Sequence, residues 1–315
     1  PLALSLYQEI IDRDLLEYIK KCVNNKGGNP YDVANIMYQM YRDNYICVSV
    51  KDNYWFYYDQ ELHKWLEDDR GIHLKMKIST EVWDKLNKFS ENFKFNDVSK
   101  IEENIKSLKH DLEQLENSDE DSDDESISEL KNKILNLESE LRKSKKNETK
   151  TKNIIKIVSR LKETSFKSNI MTECCELFYD KTRKFYNNLD SNLNLLGFNN
   201  GIYDLSTDEF REGRPEDYVT MSTNINFMPY DKNSKENRDI QQFLYEILTI
   251  PEVKDYVIKL MSTFLSGSTK SEKFHVWSGS GGNGKSKLIE LLELSLGDYA
   301  GKLNISNLTQ KRGNA

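Results

Sequence analysis

The most constraining feature of this chain is an eight-residue run near its carboxyl end. The run consists of Gly279, Ser280, Gly281, Gly282, Asn283, Gly284, Lys285 and Ser286. It matches G-x-x-x-x-G-K-[ST], the phosphate-binding loop. Glycines lack a Cβ atom and reach positive φ, so such a loop can wrap around a phosphate with its N–H groups pointing inward. Lys285 is therefore the predicted catalytic residue, as a mobile charge on the β- and γ-phosphates, and Ser286 is the predicted Mg²⁺ ligand.

The neighbouring residues predict the strand, loop and helix that this motif requires. The aromatic and β-branched run Phe274–Trp277 is typical of a short buried strand. Apolar residues recur at helical spacing from Lys285 to about Leu296, and Gly297 then ends the predicted helix. The alternative interpretation is a flexible glycine turn that matches the motif by chance.

Composition excludes several classes of protein. The net charge is -7, and seven acids account for it: Glu116, Asp119, Glu120, Asp121, Asp123, Asp124 and Glu125. Without this run the charges balance, so the acidity says nothing about nucleic-acid binding elsewhere. No apolar run approaches the roughly 18 residues of a membrane span, which predicts no membrane partner. The four cysteines form no C-x-x-C pair and the four histidines complete no zinc pattern, so buried, reduced thiols of an intracellular protein are predicted.

The first hundred residues predict helices around a small sheet. Helices are predicted over 4–24, 32–41 and 78–93, from apolar residues at helical spacing and from turn residues at their ends. Tyr45–Val50, Tyr54–Tyr58 and Lys64–Glu67 are strand-like and predict an antiparallel meander. Their aromatic side chains could stack on nucleic-acid bases, or they could form the core of the sheet.

A different pattern occupies residues 97–150. Two apolar seams step alternately by three and four residues: Ile101, Ile105, Leu108, Leu112 and Leu115, then Ile127, Leu130, Ile134, Leu137 and Leu141. The acidic link between the seams contains no apolar residue from Glu116 to Ser126, so it cannot enter a core. The pattern predicts an inserted antiparallel coiled-coil hairpin, either as a partner-binding arm or as an insertion of no special function.

Globular patterning resumes after the hairpin. Helices are predicted over 154–166, 170–188, 239–248 and 253–265. Asn200-Gly201 lies between two apolar runs and predicts a β-hairpin over 195–205, and residues 210–220 predict a second strand–turn–strand unit. The fold class is therefore α+β: a mostly helical domain with small β-hairpins and an inserted helical hairpin, followed by the start of an α/β phosphate-loop domain.

The order of these parts resembles the poxvirus-type and giant-virus primase-helicases. The resemblance is carried by Tyr54–Lys77, by Phe198–Leu205 with Arg214–Tyr218, and by Trp277–Ser286 with Leu296–Tyr299 and Leu308–Arg312. The first two groups are similar to the domain that precedes the ATPase, here called the collar domain. The third is similar to the opening of a superfamily 3 helicase core.

The resemblance implies a replicative DNA helicase of a large DNA virus or phage-like element. It implies ATP and Mg²⁺ as cofactors, and a hexameric ring in which AAA+ motors thread single-stranded DNA, with other replication proteins as possible partners. It places the N-terminal part of the collar domain at 1–96, the inserted hairpin at 97–150, the rest of the collar domain at 151–235 and the start of the motor at 236–315. The expected location is the host cytoplasm or a viral replication site, and no primase domain is expected within these residues.

The chain departs from the family pattern at its carboxyl end. The acidic Mg²⁺- and water-activating motif, the sensor residue and the arginine finger are expected beyond Ala315, so the 315-residue chain is expected to hydrolyse ATP negligibly by itself. Glu290, Glu293 and Asp298 follow the loop, and a solvated helix face explains the two glutamates better than catalysis does. The rival hypotheses are another phosphate-loop enzyme, such as a packaging ATPase or nucleotide kinase, and a non-enzymatic oligomerisation module.

Overall fold

The computed structural model describes residues 2–24, 28–91, 98–116, 124–268 and 272–309. The fold class α+β is confirmed: most described residues are helical, and six strands form two separate three-stranded sheets. The chain divides into two compact units, Pro1–Arg42 with Arg70–Tyr179, and Asp43–Asp69 with Asp180–Ala315. These units do not follow the predicted domain boundaries, which remain a prediction.

In its described part the first unit contains helices and connecting turns but no strand. Its helices are α1 (Leu2–Asn24), α2 (Pro30–Tyr41), α3 (Ile72–Lys77), α4 (Trp83–Glu91), α5 (Val98–Glu116), α6 (Asp124–Arg160) and α7 (Thr164–Leu177). Asn29 begins α2, because its side-chain oxygen accepts from the Asp32 N–H at 2.7 Å and Pro30 needs no acceptor at the first helical position. The core contains Met37, Ile154 and Ile170, none of them measurably exposed.

Helix α6 passes through residue 150, the predicted end of the inserted hairpin. It continues without a break into the segment that was predicted as a separate helix over 154–166. No glycine or proline interrupts 124–160, and Thr151 is buried with its hydroxyl bonded back to the Asn147 carbonyl at 3.0 Å. One helix therefore serves both the hairpin and the body of the unit.

The two arms of the hairpin pack antiparallel, as predicted. Ile101, Ile105 and Ile134 are buried, and ion pairs join Lys109 to Glu138 at 2.7 Å and Lys145 to Glu102 at 2.5 Å. The residue numbers rise along α5 as they fall along α6, which is the register of an antiparallel pair. The acidic link at 117–123 lies outside the described residues.

Two other predicted helices are divided. The helix predicted over 78–93 begins with a π-helical turn, Ile78–Val82, before α4. The helix predicted over 170–188 ends at Leu177 with α7. A new helix, α8 (Lys184–Asn188), begins where the Asp180 carboxylate accepts from the Phe185 N–H at 2.8 Å. A side-chain acceptor that captures backbone N–H groups in this way starts a helix, which periodicity alone does not reveal.

The second unit mixes strands and helices. Its first sheet has the order β1 (Tyr45–Ser49), β2 (Tyr54–Asp59), β3 (Lys64–Asp69), and its second has the order β4 (Leu195–Phe198), β5 (Gly201–Asp204), β6 (Glu209–Arg211). Every pairing is antiparallel, which confirms the meander and the hairpin over 195–205. The remaining helices are α9 (Lys235–Ile247), α10 (Pro251–Thr263), α11 (Lys285–Leu296) and α12 (Ser306–Thr309).

The aromatic side chains of the first sheet form a core. Phe56, Tyr58 and Trp65 cluster with Phe185 of α8, and the Trp65 and Phe185 rings meet edge to face at 4.7 Å. The Trp65 indole N–H donates to the Pro215 carbonyl at 2.8 Å. These rings are buried against one another and cannot stack on bases, so the structure favours the core interpretation over the base-stacking one.

Two strand predictions are wrong. Phe274–Trp277 is not a strand, and Phe274 and Val276 are 89% and 78% exposed. Within the described residues no strand lies beside this segment, and an extended chain without a neighbour has no partners for its backbone groups. In the second strand–turn–strand unit only β6 forms. A 3₁₀ turn follows at Pro215–Asp217. There the Arg211 guanidinium donates two hydrogen bonds, of 2.7 and 2.8 Å, to the Asp217 carboxylate.

The hairpin is expected to be dispensable for the stability of the helical unit. Replacing residues 99–146 by a short Gly/Ser linker removes the seam but keeps Thr151, Ile154 and the rest of the body segment of α6. Thermal unfolding followed by circular dichroism should remain cooperative. As the control, Ile154→Ala in the otherwise intact chain should cost about 2–5 kcal/mol, because the side chain is fully buried. Loss of the cooperative transition in the deletion would show that the hairpin belongs to the core.

Candidate functional site

The predicted phosphate loop forms an open turn that runs directly into helix α11. Gly282 and Gly284 have φ of 76° and 79°, a region that residues with a Cβ atom rarely adopt. A Cβ atom added at Gly281 or Gly282 would meet nothing within 4 Å, so the mouth of the turn is open. In this described stretch the N–H groups of residues 281–286 have no protein acceptor. Unpaired N–H groups at a helix N-terminus form a favourable position for an anion.

The Lys285 ammonium lies inside the turn. Its Nζ donates to the Asn283 side-chain oxygen at 2.6 Å and to the Gly279 and Ser280 carbonyls at 3.3 Å each. A Cβ atom at Gly279 would lie 2.5 Å from the Asn283 amide nitrogen. Glycine is therefore needed at the first motif position so that the Asn283 side chain can hold the lysine.

The residues that follow the lysine offer one hydroxyl to a metal ion. Ser286 is exposed at the second position of α11. Glu290 is bonded to Lys287 at 2.7 Å and Glu293 to Lys302 at 2.9 Å, and the hydrogen bond from Lys287 lowers the pKa of Glu290. These pairs support the interpretation of a solvated helix face. In the described part of the chain no three His, Cys, Asp or Glu residues come together as a metal site.

Helix α11 is seated on α9 and α10. Leu288 is buried against Leu244 and Val257, and Trp277 packs on the same cluster, so the segment before the loop is anchored even though it forms no strand. At the start of the helix Gly284 faces Ile247, the last residue of α9. A Cβ atom at Gly284 would lie 2.6 Å from the Ile247 Cγ1, so this glycine permits close approach as well as positive φ.

The other end of α11 is fixed by Asp298. Its carboxylate accepts from the Ser222 N–H at 3.0 Å, from the Asn224 amide at 2.7 Å and from the Lys64 ammonium at 3.3 Å, and its own N–H donates to the Ser222 carbonyl at 2.9 Å. Partial burial would raise the pKa of Asp298, but the bonds from Asn224, Ser222 and Lys64 together lower it. Asp298 is thus a structural acceptor.

Tyr299 completes this attachment. Its hydroxyl accepts from the Gly197 N–H of β4 at 2.9 Å and donates to the Met221 carbonyl at 3.1 Å. Burial raises the pKa of Tyr299 to about 12, so the hydroxyl stays protonated and remains a donor. Gly297 is required just before, because a Cβ atom there would lie 2.4 Å from the Thr223 carbonyl oxygen.

The cysteines are unsuited to chemistry. All four are buried, and burial raises the pKa of Cys22 to about 12 and that of Cys174 further still. Thiols in such surroundings stay protonated and unreactive at neutral pH.

The structure brings together all eight predicted site residues, and their roles stay predictions. Sequence reasoning placed Asp298 after the helix but did not find its partners, and it missed Ile247 as the seat of Gly284. The available signal was the glycine that ends α11, followed at once by an acid and a tyrosine. The partners lie dozens of residues away, and no local pattern identifies them.

The glycines of the loop should differ in what they tolerate. Gly284→Ala adds a methyl group against Ile247 in a left-handed backbone, and we expect a loss of about 2–4 kcal/mol from strain and overpacking together. Gly282→Ala, with a similar φ but open space, should lose only about 1–2 kcal/mol. Chemical denaturation of both variants measures the difference. Equal losses would mean that contact with Ile247 does not constrain the loop.

The Asp298 attachment should depend on pH. Its lowered pKa means that the stabilisation is present above the unfolded value and is lost as pH falls through the folded value, which lies below 3.8. At pH 7, Asp298→Asn should lose about 1 kcal/mol, a figure discounted for the solvent exposure of the carboxylate. The difference between wild type and variant, from urea unfolding at pH 3 to 7, should shrink at the acid end. A constant difference would contradict a charged acceptor.

Comparison with known proteins identifies the family of this chain. Residues 34–249 match the family described as D5 N terminal like. The chain is 30% identical over 285 residues to a candidate helicase of Acanthamoeba polyphaga mimivirus, over 90% of this chain. It is 24% identical over 357 residues to a candidate helicase of Frog virus 3 and 25% identical over 330 residues to a candidate primase of African swine fever virus. The last match spans 98% of this chain, so it includes the phosphate-loop residues that lie outside the family match.

The relatives are much longer than this chain. It spans 25% of the mimivirus protein, 35% of the Frog virus 3 protein and 30% of the African swine fever virus protein. Among the described residues, no helix is both long and apolar enough to cross a membrane. The family match covers more than half of the chain. The relatives are viral proteins named as helicases or primases, the group that the sequence resembles. This chain belongs to the D5 N terminal like family of viral primase-helicases.

Proposed function

We propose that this chain is part of a replicative viral DNA helicase and that residues 279–286 bind ATP with Mg²⁺. The observation that carries the proposal is the open turn at the start of α11. It combines unpaired N–H groups, two glycines with positive φ and the lysine of the motif. Three relatives named as candidate helicases or primases support the same role.

The chain's own residues would receive the phosphates by an exchange of partners. Lys285 is held by two carbonyls and the Asn283 amide, which are neutral acceptors. Phosphate oxygens carry negative charge, so they attract the ammonium by a Coulomb interaction between opposite charges that neutral carbonyl and amide oxygens lack. A phosphate that enters the turn would therefore take the ammonium from the loop, while the N–H groups of 281–286 bind its other oxygens.

Ser286 would hold the metal ion through its exposed hydroxyl. When bound, Mg²⁺ would neutralise part of the negative charge on the phosphates. Glu290 and Glu293 are engaged in ion pairs, so we propose Ser286 as the direct ligand. We propose that the water-activating acid comes from another part of the helicase.

We propose further that the helicase works as a ring, with a hexamer as the expected form, around single-stranded DNA at the viral replication site in the host cell. The ring and its unwinding activity rest on the resemblance and on the relatives' names. Measuring the mass of the full-length helicase in solution, with and without nucleotide, tests the ring. A protein that stays monomeric under both conditions would refute it.

Nucleotide binding should depend on Lys285 and not on charge in general. We expect Lys285→Ala to weaken binding of a fluorescent ATP analogue to this chain by at least tenfold, because the ammonium directed at the phosphates is lost. Lys287→Ala is the matched control: it lies two residues further along the same helix and pairs with Glu290. Fluorescence titration with and without Mg²⁺ measures both.

The control should stay within about twofold of wild type, since its surface pair contributes little. Equal affinities for wild type and Lys285→Ala would reject this loop as the nucleotide site. Absence of binding by wild type, with self-association retained, would favour the oligomerisation module instead.

A further inference from the structure

The body end of helix α6 is strongly basic in a chain of net charge -7. Residues 142–160 carry eight basic side chains and one acid, Glu148. The basic residues are Arg142, Lys143, Lys145, Lys146, Lys150, Lys152, Lys156 and Arg160. Such a local excess has to be neutralised by ion pairs, by solvent ions or by an anionic partner.

Several of these charges have partners in the protein. Lys145 is paired with Glu102 at 2.5 Å and Lys152 with Glu148 at 2.6 Å. Arg160 is half-buried, stacks on the Phe166 ring and donates to the Gly28 carbonyl. These residues belong to the packing of the helical unit.

Four others are exposed and form no ion pair in the part of the chain that the structure describes: Arg142, Lys143, Lys146 and Lys156. We call them the basic face. Glu138, one turn before Arg142, is already bonded to Lys109. Lys146 lies three residues after Lys143 and four residues after Arg142, so its side chain neighbours both of theirs on the helix surface. Lys156 lies roughly 15 Å beyond Lys146, rotated by about 80°.

A purely solvated face is the competing explanation. Like charges three and four residues apart destabilise a helix, so the spacing of the basic face is unfavourable unless an anion relieves it. Thr151 and Val158 are buried on the side of the helix roughly opposite Arg142, and their burial fixes the rotation of the helix. The basic face is thus held outward on a rigid element.

We infer that the basic face binds the phosphate backbone of DNA, independently of sequence. From Arg142 to Lys156 the helix rises about 21 Å, which matches roughly six base pairs at 3.4 Å each. The choice of DNA as the polyanion rests on the proposed helicase function. The binding itself does not require the nucleotide loop.

The test compares two triple substitutions of equal charge. Lys143→Gln, Lys146→Gln and Lys156→Gln remove three charges of the basic face. Lys109→Gln on α5, with Lys145→Gln and Lys152→Gln on α6, also removes three charges, but these lysines are ion-paired. Affinity for a labelled 30-nucleotide single strand and its duplex is measured by fluorescence anisotropy between 50 and 300 mM salt, without nucleotide.

We expect the basic-face variant to lower the slope of log affinity against log salt by about 2 for the single strand and by nearly 3 for the duplex, if each lysine contacts one phosphate. At 100 mM salt its affinity should fall at least tenfold. The paired control should change the slope by less than 1. Equal changes of slope and affinity in both variants would mean that only the overall charge of the protein matters, and would overturn the inference.

A second measurement needs no variant. Lysine acetylation of the wild-type chain, read by mass spectrometry, should show that DNA protects Lys143, Lys146 and Lys156 more than Lys106 and Lys131 of the hairpin. Uniform protection, or no DNA binding by wild type at 50 mM salt, would overturn the inference. Neither outcome bears on Lys285, so a failure here is distinguishable from a failure of the nucleotide site.

Discussion

The second unit depends on how helix α11 is held at both ends. At its start Gly284 rests on Ile247, and at its end Asp298 and Tyr299 bond the 221–224 segment, Gly197 and Lys64. Backbone groups near the end of a helix otherwise lack partners. Here a carboxylate, a hydroxyl and a closely approaching glycine connect the helix to the second sheet. This attachment also positions the predicted phosphate loop.

Hydrogen bonds within the loop hold its shape. Lys285 satisfies two carbonyls and the Asn283 amide, while the N–H groups on the other side of the turn stay open. A site that is ordered before binding loses less conformational entropy when the ligand arrives. The arrangement also keeps the ammonium near the position where phosphate oxygens would compete for it, so binding would require an exchange of hydrogen bonds and little rearrangement of the backbone.

Helix α6 contributes both to the core of the first unit and to the projecting hairpin. Its body segment buries Ile154 and Ile157 in the core, and its outer segment pairs with α5 through Ile134 and ion pairs. The helix runs unbroken through the junction at Thr151, so its backbone hydrogen bonds connect the arm to the body. The basic stretch lies along this junction, where a rigid surface can present charges at fixed spacing.

The sequence by itself determined the loop, the α11 bounds and the antiparallel hairpins, because glycine conformations, helical periodicity and turn residues act within a few positions. Helix α11 was predicted from Lys285 to Leu296, and the structure has those bounds. Only the tertiary structure decided that Phe274–Trp277 is not a strand, that α6 passes through residue 150 and that Asp298 is an acceptor for Ser222. A strand needs a neighbour, a helix end needs a competing acceptor, and a carboxylate that accepts several hydrogen bonds needs donors. In each case the partner lies far away in sequence, so its effect appears only when the chain is folded.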